Sequence, residues 1–179
     1  ECGAKEVIGI DLISSVDKTY NKFKNKNIHC VQADIFNLPF KKETFDFIFS
    51  IGVLHHTQNT KQAFLQLPKL LKKKGRIACT FYKKMGPLRE FTDNFIRFFT
   101  TRMPKKIVWY LSYIPSAIAT ILHPIPVWKK GKRWIHLDEA IFATIIHIRR
   151  EHSICFDWWS PKIATRQSWQ EVKKWFKEA

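Results

Sequence analysis

Glycine is scarce in this chain, at six residues of 179, and no two glycines stand in a Gly-x-Gly pattern. Residues 7–11 (VIGID) are nevertheless typical of a short apolar strand that ends in an acid, Asp11. In a doubly wound sheet, such an acid holds a nucleoside ribose and follows a glycine-rich loop by roughly 20 residues. Nothing glycine-rich precedes Asp11, so the sequence predicts a nucleotide-type strand without its loop.

Cysteine is also scarce, and the few cysteines are scattered. No C-x-x-C pair occurs, which argues against a zinc ribbon and against a disulfide framework. A reduced, cytoplasmic compartment is therefore expected. Residues 1–6 are polar and small and do not have the pattern of a signal peptide. The cysteines are Cys2, Cys30, Cys79 and Cys155.

Acidic residues are few, with 15 Asp and Glu against 31 Lys and Arg, and the formal net charge is +16. This charge favours an anionic partner such as nucleic acid, a phosphorylated substrate or a membrane surface. The alternative is that the lysines simply cover solvated faces. The basic residues are spread along the chain without an RNA-binding aromatic signature, which weighs against a single nucleic-acid groove.

The first half of the chain alternates predicted strands and helices, which implies an α/β fold with a parallel sheet and right-handed crossovers. Pro68 lies inside one predicted helix, and Gly75 is placed to cap its end. The predicted strands are 7–11, 28–32, 45–51 and 76–82, and the predicted helices are 15–24 and 61–72.

The character of the chain changes after residue 82. The region 83–155 is aromatic and basic, with Phe91, Phe95 and Phe98 at helical spacing, and we expect a helical cap inserted into the core. Residues 156–161 then predict a turn-rich linker, and a capping box at 168–171 begins a last helix. The expected organisation is a partial core at 1–82, a helical cap at 83–155, and a linker with a return helix at 156–179.

Residues 107–128 contain no acidic or basic side chain except His123, over a length that matches a membrane span. Pro115, Pro124 and Pro126 interrupt the segment. A buried or substrate-covering cap is the favoured interpretation. A transmembrane helix and peripheral contact with a membrane surface are the alternatives.

Polar side chains follow three successive predicted strands, at Asp11, Asp34 and Ser50. Ligands of open parallel sheets bind at the carboxyl ends of the strands. A carboxylate at Asp11 suits two ribose hydroxyls, while Asp34 and the backbone N–H of Ile35 suit the edge of an adenine. Each acid taken alone is explained equally well by a helix cap or a turn.

Four segments resemble consecutive motifs of the class I S-adenosylmethionine-dependent methyltransferases. The similarity is greatest to the small-molecule subgroup with Leu-His-His after the fourth strand, and it covers residues 1–82. The tail at 156–179 resembles a linker and helix of the same family, whereas 83–155 matches no family motif. The four segments are VIGIDLISSV (7–16), VQADIFNLPF (31–40), FDFIFSIGVLHHT (45–57) and LLKKKGRIACTFY (70–82).

The resemblance implies a Rossmann-like doubly wound sheet and S-adenosyl-L-methionine as cofactor. It implies that Asp11 binds the ribose hydroxyls and that Leu12 packs near the adenine. Asp34 and Ile35 would hold the adenine edge.

For the other half of the cofactor, the resemblance implies that Ser50 and Ile51 border the methionine part. His55 would stand at the mouth of the methyl-transfer site as a candidate catalytic residue, with His56 supporting it. The alternative is that both histidines are polar residues at a helix start. No metal site is expected, because adjacent helical residues point apart and no acid is spaced to join them.

The implied reaction is methyl transfer to an oxygen, nitrogen or carbon of a small organic acceptor. The alternatives are a tRNA or rRNA methyltransferase, and a non-catalytic relative that associates with a membrane through 107–128. In the family, a first strand and its Gly-x-Gly loop precede the strand at 7–11 along the chain, and in the sheet that first strand lies between the strands at 7–11 and 45–51. Neither is present in the sequence. We therefore expect a piece of a longer protein, a sheet in two halves, and no measurable cofactor binding by these residues alone.

Overall fold

The computed structural model describes residues 3–23, 27–130, 133–136 and 151–179. The chain divides into two compact units. The first unit comprises residues 1–81 and 169–179, and the second comprises residues 82–168. Within the second unit, a parallel bridge between Lys83 and Gln167 brings its first and last residues side by side.

The described strands and helices alternate regularly only in the first unit. In chain order they are β1 (Val7–Asp11), α1 (Ser15–Phe23), β2 (Ile28–Gln32), β3 (Phe45–Ser50), α2 (Thr60–Gln66), β4 (Leu71–Cys79), α3 (Pro87–Thr100), α4 (Lys105–Leu111), α5 (Tyr113–Leu122), β5 (Pro126–Lys130), β6 (Arg133–His136), α6 (His152–Trp159) and α7 (Trp169–Glu178). Short 3-10 turns occupy Leu54–His56 and Pro68–Leu70.

Two parallel strand pairs form the sheet structure of the first unit. β1 pairs with β2 from Val7 opposite Ile28 to Asp11 opposite Gln32. β3 pairs with β4, and Ser50 stands opposite Cys79 at the end of that ladder. Parallel neighbours joined through helices confirm the predicted α/β class. Among the described strands each pair is a separate two-stranded sheet.

The predicted helix over 61–72 is shorter in the structure, because α2 ends at Gln66 and Pro68 opens a 3-10 turn. Proline has no N–H to donate and its ring clashes with the preceding helical turn. The strand that follows starts at Leu71 and ends at Cys79, whereas 76–82 was predicted. Gly75 therefore lies inside β4 and does not cap a helix.

The core of the first unit is apolar and centres on Phe64, whose side chain is fully buried. The Phe64 ring lies 6.4 Å from the Trp175 ring and 4.7 Å from the Phe176 ring, so α2 and α7 pack together. Asn59 caps α2 by accepting a hydrogen bond from the Gln62 N–H at 3.0 Å. The buried members of the cluster are Leu54, Ala63, Phe64, Leu67 and Trp175.

The second unit is not wholly helical, which corrects part of the prediction for 83–155. Strands β5 and β6 form an antiparallel hairpin, in which Lys130 stands opposite Arg133. Residues 156–161, predicted as a linker, belong mostly to helix α6. Residues 137–150 of the predicted cap lie outside the described residues.

The segment 107–128 does not form one long helix. It divides between α4, α5 and the start of β5, and Val108, Ser112, Ser116 and Ala119 are buried. Within the ranges that the structure describes, no helix is long and apolar enough to cross a membrane.

Candidate functional site

The carboxyl ends of β1 and β2 form one edge, called here the first edge (residues 11–13 and 32–36). The Ala33 N–H donates to the Asp11 carbonyl at 3.0 Å, which continues the parallel ladder past the strand ends. The Gln32 side-chain amide donates to the Leu12 carbonyl at 3.0 Å. These bonds hold the segments that carry Asp11 and Asp34 side by side.

The two acids of the first edge are held in the same way. Asp11 Oδ1 accepts from the Ile13 N–H at 3.2 Å, and Asp34 Oδ1 accepts from the Phe36 N–H at 3.0 Å. Both residues are exposed. A carboxylate offers about four acceptor positions, and each of these backbone bonds uses one of them. Both acids therefore stabilise a local turn, as the alternative interpretation of each acid expected, and this role is compatible with ligand binding.

Apolar surface borders these acids. The Leu12 side chain is 63% exposed, whereas Ile35 is half-buried and packs against the apolar core of the first unit. An exposed leucine beside a carboxylate offers one apolar and one polar contact to the same ligand. This combination of hydrogen-bond acceptors and apolar surface fits a nucleoside. The hydroxyl groups of a ribose need acceptors, and a base needs an apolar surface against its face.

The ends of β3 and β4 form the second edge (residues 50–52 and 80). The Thr80 N–H donates to the Ser50 carbonyl at 3.0 Å, and the Gly52 N–H donates to Thr80 Oγ1 at 2.9 Å. Gly52 has φ of +74°, a conformation that favours glycine. Ile51 is well exposed beside it.

Sequence reasoning missed Thr80, whose hydroxyl organises the second edge. The signal that points to it is its place directly after β4, since Cys79 stands opposite Ser50 in the ladder. Cys79 itself is not a nucleophile, because burial raises the pKa of its thiol to about 11 and keeps it protonated.

His55 lies in the 3-10 turn that follows the second edge, and it is only 1% exposed. Burial lowers the pKa of its imidazole to about 4, with a further lowering by nearby His56 and a smaller opposing effect of a hydrogen bond with the Thr80 backbone. The His55 and His56 ring centroids are 4.4 Å apart. His55 is therefore a buried, neutral imidazole at neutral pH.

Within the described ranges, no group of three or more His, Cys, Asp or Glu residues is arranged to hold a metal ion.

Comparison with known proteins places a family on the first unit. Residues 1–79 match the model of a methyltransferase domain. This similarity over residues 1–79 agrees with the resemblance to class I methyltransferases, which implies S-adenosyl-L-methionine as cofactor. The narrower Leu-His-His subgroup stays a prediction.

Three individual proteins are similar to about half or somewhat more of the chain. An uncharacterized protein of Methanocaldococcus jannaschii is 34% identical over 118 residues, covering 61% of this chain and 52% of that protein. The solved YcgJ protein of Bacillus subtilis is 26% identical with a TM-score of 0.45, covering 52% of this chain and 43% of that one. An S-adenosylmethionine-dependent methyltransferase of Mesorhizobium loti is 23% identical with a TM-score of 0.43, covering 49% and 41%. The chain spans about half the length of the curated relative it matches.

Proposed function

We propose that the protein containing these residues transfers a methyl group from S-adenosylmethionine to an oxygen, nitrogen or carbon of a small organic acceptor. The proposal rests on two features that occur in the same part of the chain. The part of the chain that matches a methyltransferase domain also holds two exposed acids at adjacent carboxyl ends of parallel strands.

The first edge would hold the nucleoside of the donor. Asp11 accepts from the ribose hydroxyls, and Leu12 covers one face of the adenine. Asp34 accepts from the exocyclic amine of the adenine, and the Ile35 N–H donates to a ring nitrogen. When bound, the donor supplies an electrophilic methyl group on its sulfonium.

The second edge would border the methionine part of the donor through Ser50 and Ile51. His55 acts here as a positioning residue, because an imidazole with a pKa near 4 is a poor proton acceptor at neutral pH. The protein's main task is then to place the acceptor atom in line with the methyl group.

Substitution of Asp11 tests the proposal, with S-adenosylmethionine binding followed by calorimetry and methyl transfer followed with labelled donor. Asp11→Asn keeps the oxygen that accepts from Ile13 but removes the charge, so we expect about 10- to 100-fold weaker donor binding. Asp17→Asn, at an exposed position in the first turn of α1, is the matched control and should bind as the parent does. Equal affinities for all three proteins would overturn the ribose assignment.

The length of the protein used matters for this test. Because the chain spans about half of its curated relative, the assay belongs on the longest natural protein that contains residues 1–179. For the 179 residues alone we expect no measurable donor binding, since no Gly-x-Gly loop is among them. Tight binding by these residues alone would contradict that expectation without removing the methyltransferase assignment.

The net charge of +16 favours one second candidate, methylation of tRNA or rRNA. If nucleic acid is the acceptor, the logarithm of the binding constant should fall steeply and linearly with the logarithm of the salt concentration. A gel-shift titration at several salt concentrations separates the two acceptor classes. Weak binding that does not change with salt would leave the small-molecule acceptor.

A further inference from the structure

Helix α3 of the second unit has its polar face inside and its aromatic face outside. Asp93, Arg97 and Thr100 are buried. The opposite face carries one leucine and four phenylalanines, called here the aromatic stripe. Their side chains are 46–69% exposed: Leu88, Phe91, Phe95, Phe98 and Phe99. An amphipathic helix of a water-soluble domain normally has the reverse arrangement.

Hydrogen bonds and an ion pair fix this orientation. Asp93 forms an ion pair with Arg166 and accepts from the Trp158 indole N–H. Arg97 donates to the Pro161 carbonyl at 2.6 Å, and Thr100 donates to the Trp159 carbonyl at 2.9 Å. Rotating α3 to bury its phenylalanines would leave a carboxylate and a guanidinium unpaired, which is strongly unfavourable. The stripe therefore faces outward in the folded unit.

The stripe is one continuous apolar surface. The Phe95 ring lies 6.4 Å from the Phe91 ring and 5.2 Å from the Phe99 ring, and Phe98 lies 5.2 Å from Phe99. At 1.5 Å per residue, residues 88–99 extend for roughly 16 Å, about half the thickness of a bilayer core. The stripe is thus too short to span a membrane but long enough to lie along its surface.

The exposed charges around the stripe are mostly basic. Between residues 83 and 106 the two acids are Glu90, which accepts from the Met85 N–H, and buried Asp93. The Arg102 guanidinium lies 3.8 Å from the centre of the Phe98 ring. The exposed basic residues of this segment are Lys83, Lys84, Arg102, Lys105 and Lys106.

From these observations we infer that α3 binds along the surface of a membrane rich in anionic lipid. The aromatic stripe enters the boundary between headgroups and acyl chains, and the flanking lysines and Arg102 contact lipid phosphates. This interaction is independent of methyl transfer. It also differs from the membrane contact considered as an alternative for 107–128, because the contacting helix is α3.

Two other occupants fit the stripe less well. A second copy would bring two strongly basic surfaces together, at a net charge of +16 for each chain. Single-stranded nucleic acid stacks on open ring faces. Here Phe95, Phe98 and Phe99 meet edge to face and Arg102 covers Phe98, so few faces are open to a base.

Co-sedimentation with vesicles tests the inference on the full chain. At low salt, the protein should pellet with vesicles of phosphatidylcholine that contain 30–40% phosphatidylglycerol. Its binding to vesicles of pure phosphatidylcholine should be at least about tenfold weaker. Phe91→Ser with Phe95→Ser should lower the partition coefficient at least about tenfold. Lys105→Glu with Lys106→Glu should lower it by a similar factor on anionic vesicles only.

Trp169→Ala is the matched control, because Trp169 is a well-exposed aromatic residue of the first unit. It should bind anionic vesicles as the parent does, and unchanged circular dichroism of every variant excludes unfolding as the cause of lost binding. Absence of pelleting by the parent on anionic vesicles would overturn the inference. So would equal losses for Trp169→Ala and the phenylalanine variant. Phenylalanine-dependent dimerisation or RNA binding without vesicle binding would assign the stripe to a second copy or to nucleic acid.

Discussion

Helix α3 of the second unit places phenylalanine and aspartate on sides opposite to those they take at the core and the first edge of the first unit. In the first unit Phe64 is fully buried, and Asp11 and Asp34 are exposed at strand ends. In the second unit Asp93 is fully buried, and Phe91 is 69% exposed. The difference teaches that residue type alone does not decide burial. A partner such as Arg166 makes a buried carboxylate tolerable, and the apolar face of the same helix is then left outside.

Both units bury an apolar cluster, and in the second unit a polar network is added to it. Removal of apolar surface from water stabilises the first unit, and this effect needs no particular direction. The polar network of the second unit is directional, because each hydrogen bond requires its own donor and acceptor. Substitutions that remove one partner therefore test the contrast directly.

The largest effect is expected at Asp93. Asp93→Ala leaves buried Arg166 without its carboxylate and should destabilise the second unit by about 3–5 kcal/mol. Hydrogen exchange of the α3 and α6 amides measures this loss, and protection of the α2 amides in the first unit should not change. Asp157→Ala, at an exposed position of α6, is the control and should cost less than about 0.5 kcal/mol. A loss below about 1 kcal/mol for Asp93→Ala would show that the network does not hold α3.

The next largest effect is expected from one of two single phenylalanine substitutions, which are compared with each other. Phe64→Ala creates a cavity in the apolar core and should cost about 3–4 kcal/mol in free energy of unfolding. Phe95→Ala, on the exposed stripe, should change stability by no more than about 0.5 kcal/mol. Urea denaturation of both variants with the parent gives the comparison. Similar costs at the two positions would mean that the stripe is covered within the folded chain.

The smallest effect is a pH dependence carried by His55. Its folded pKa is about 4 against 6.5 as the ordinary value, so the unfolded chain binds more protons between these pH values. Stability is fully retained above pH 6.5 and falls by up to about 3 kcal/mol as the pH approaches 4.

The readout for His55 is the difference between parent and variant in unfolding free energy, measured from pH 7 to pH 4. His55→Leu should remove the fall attributed to this residue, whereas His29→Asn, at an exposed position of β2, should leave it in place. An unchanged pH profile in His55→Leu would assign the acid sensitivity to other groups.

Local patterns in the sequence predicted the first unit well. The bounds of β1 and β2 agree with the predicted ranges, because each apolar run is short and bounded by polar turns. The helix predicted over 61–72 is present but ends at Gln66, since the missing N–H of Pro68 outweighs the helical spacing of the leucines. At the candidate site, the positions of Asp11 and Asp34 followed from strand ends, but the burial of His55 depends on packing that no local pattern encodes.

The second unit was harder to predict for physical reasons. Pro161 suggested a linker, yet α6 ends at Trp159, just before the residue that precedes the proline. The spacing of the phenylalanines predicted the helix α3, but it did not predict that the phenylalanines lie on the exposed face of this helix. That face is decided by Arg166, which is 73 residues away from Asp93 in the chain.

The lysine-rich start of β4 has a consequence for how the first unit tolerates insertions and deletions. Phe45 stands opposite Leu71 and Phe47 opposite Arg76, so β4 accommodates three more residues than β3 over this stretch. Along β4 the half-buried residues are Leu71, Gly75, Ile77 and Cys79, so the strand keeps one inward face past this irregularity, and Ile77 and Cys79 pack against the core. A deletion of two residues within 72–74 would therefore keep the alternation of side chains along β4, whereas a deletion of one would turn the inward side chains on one side of it outward.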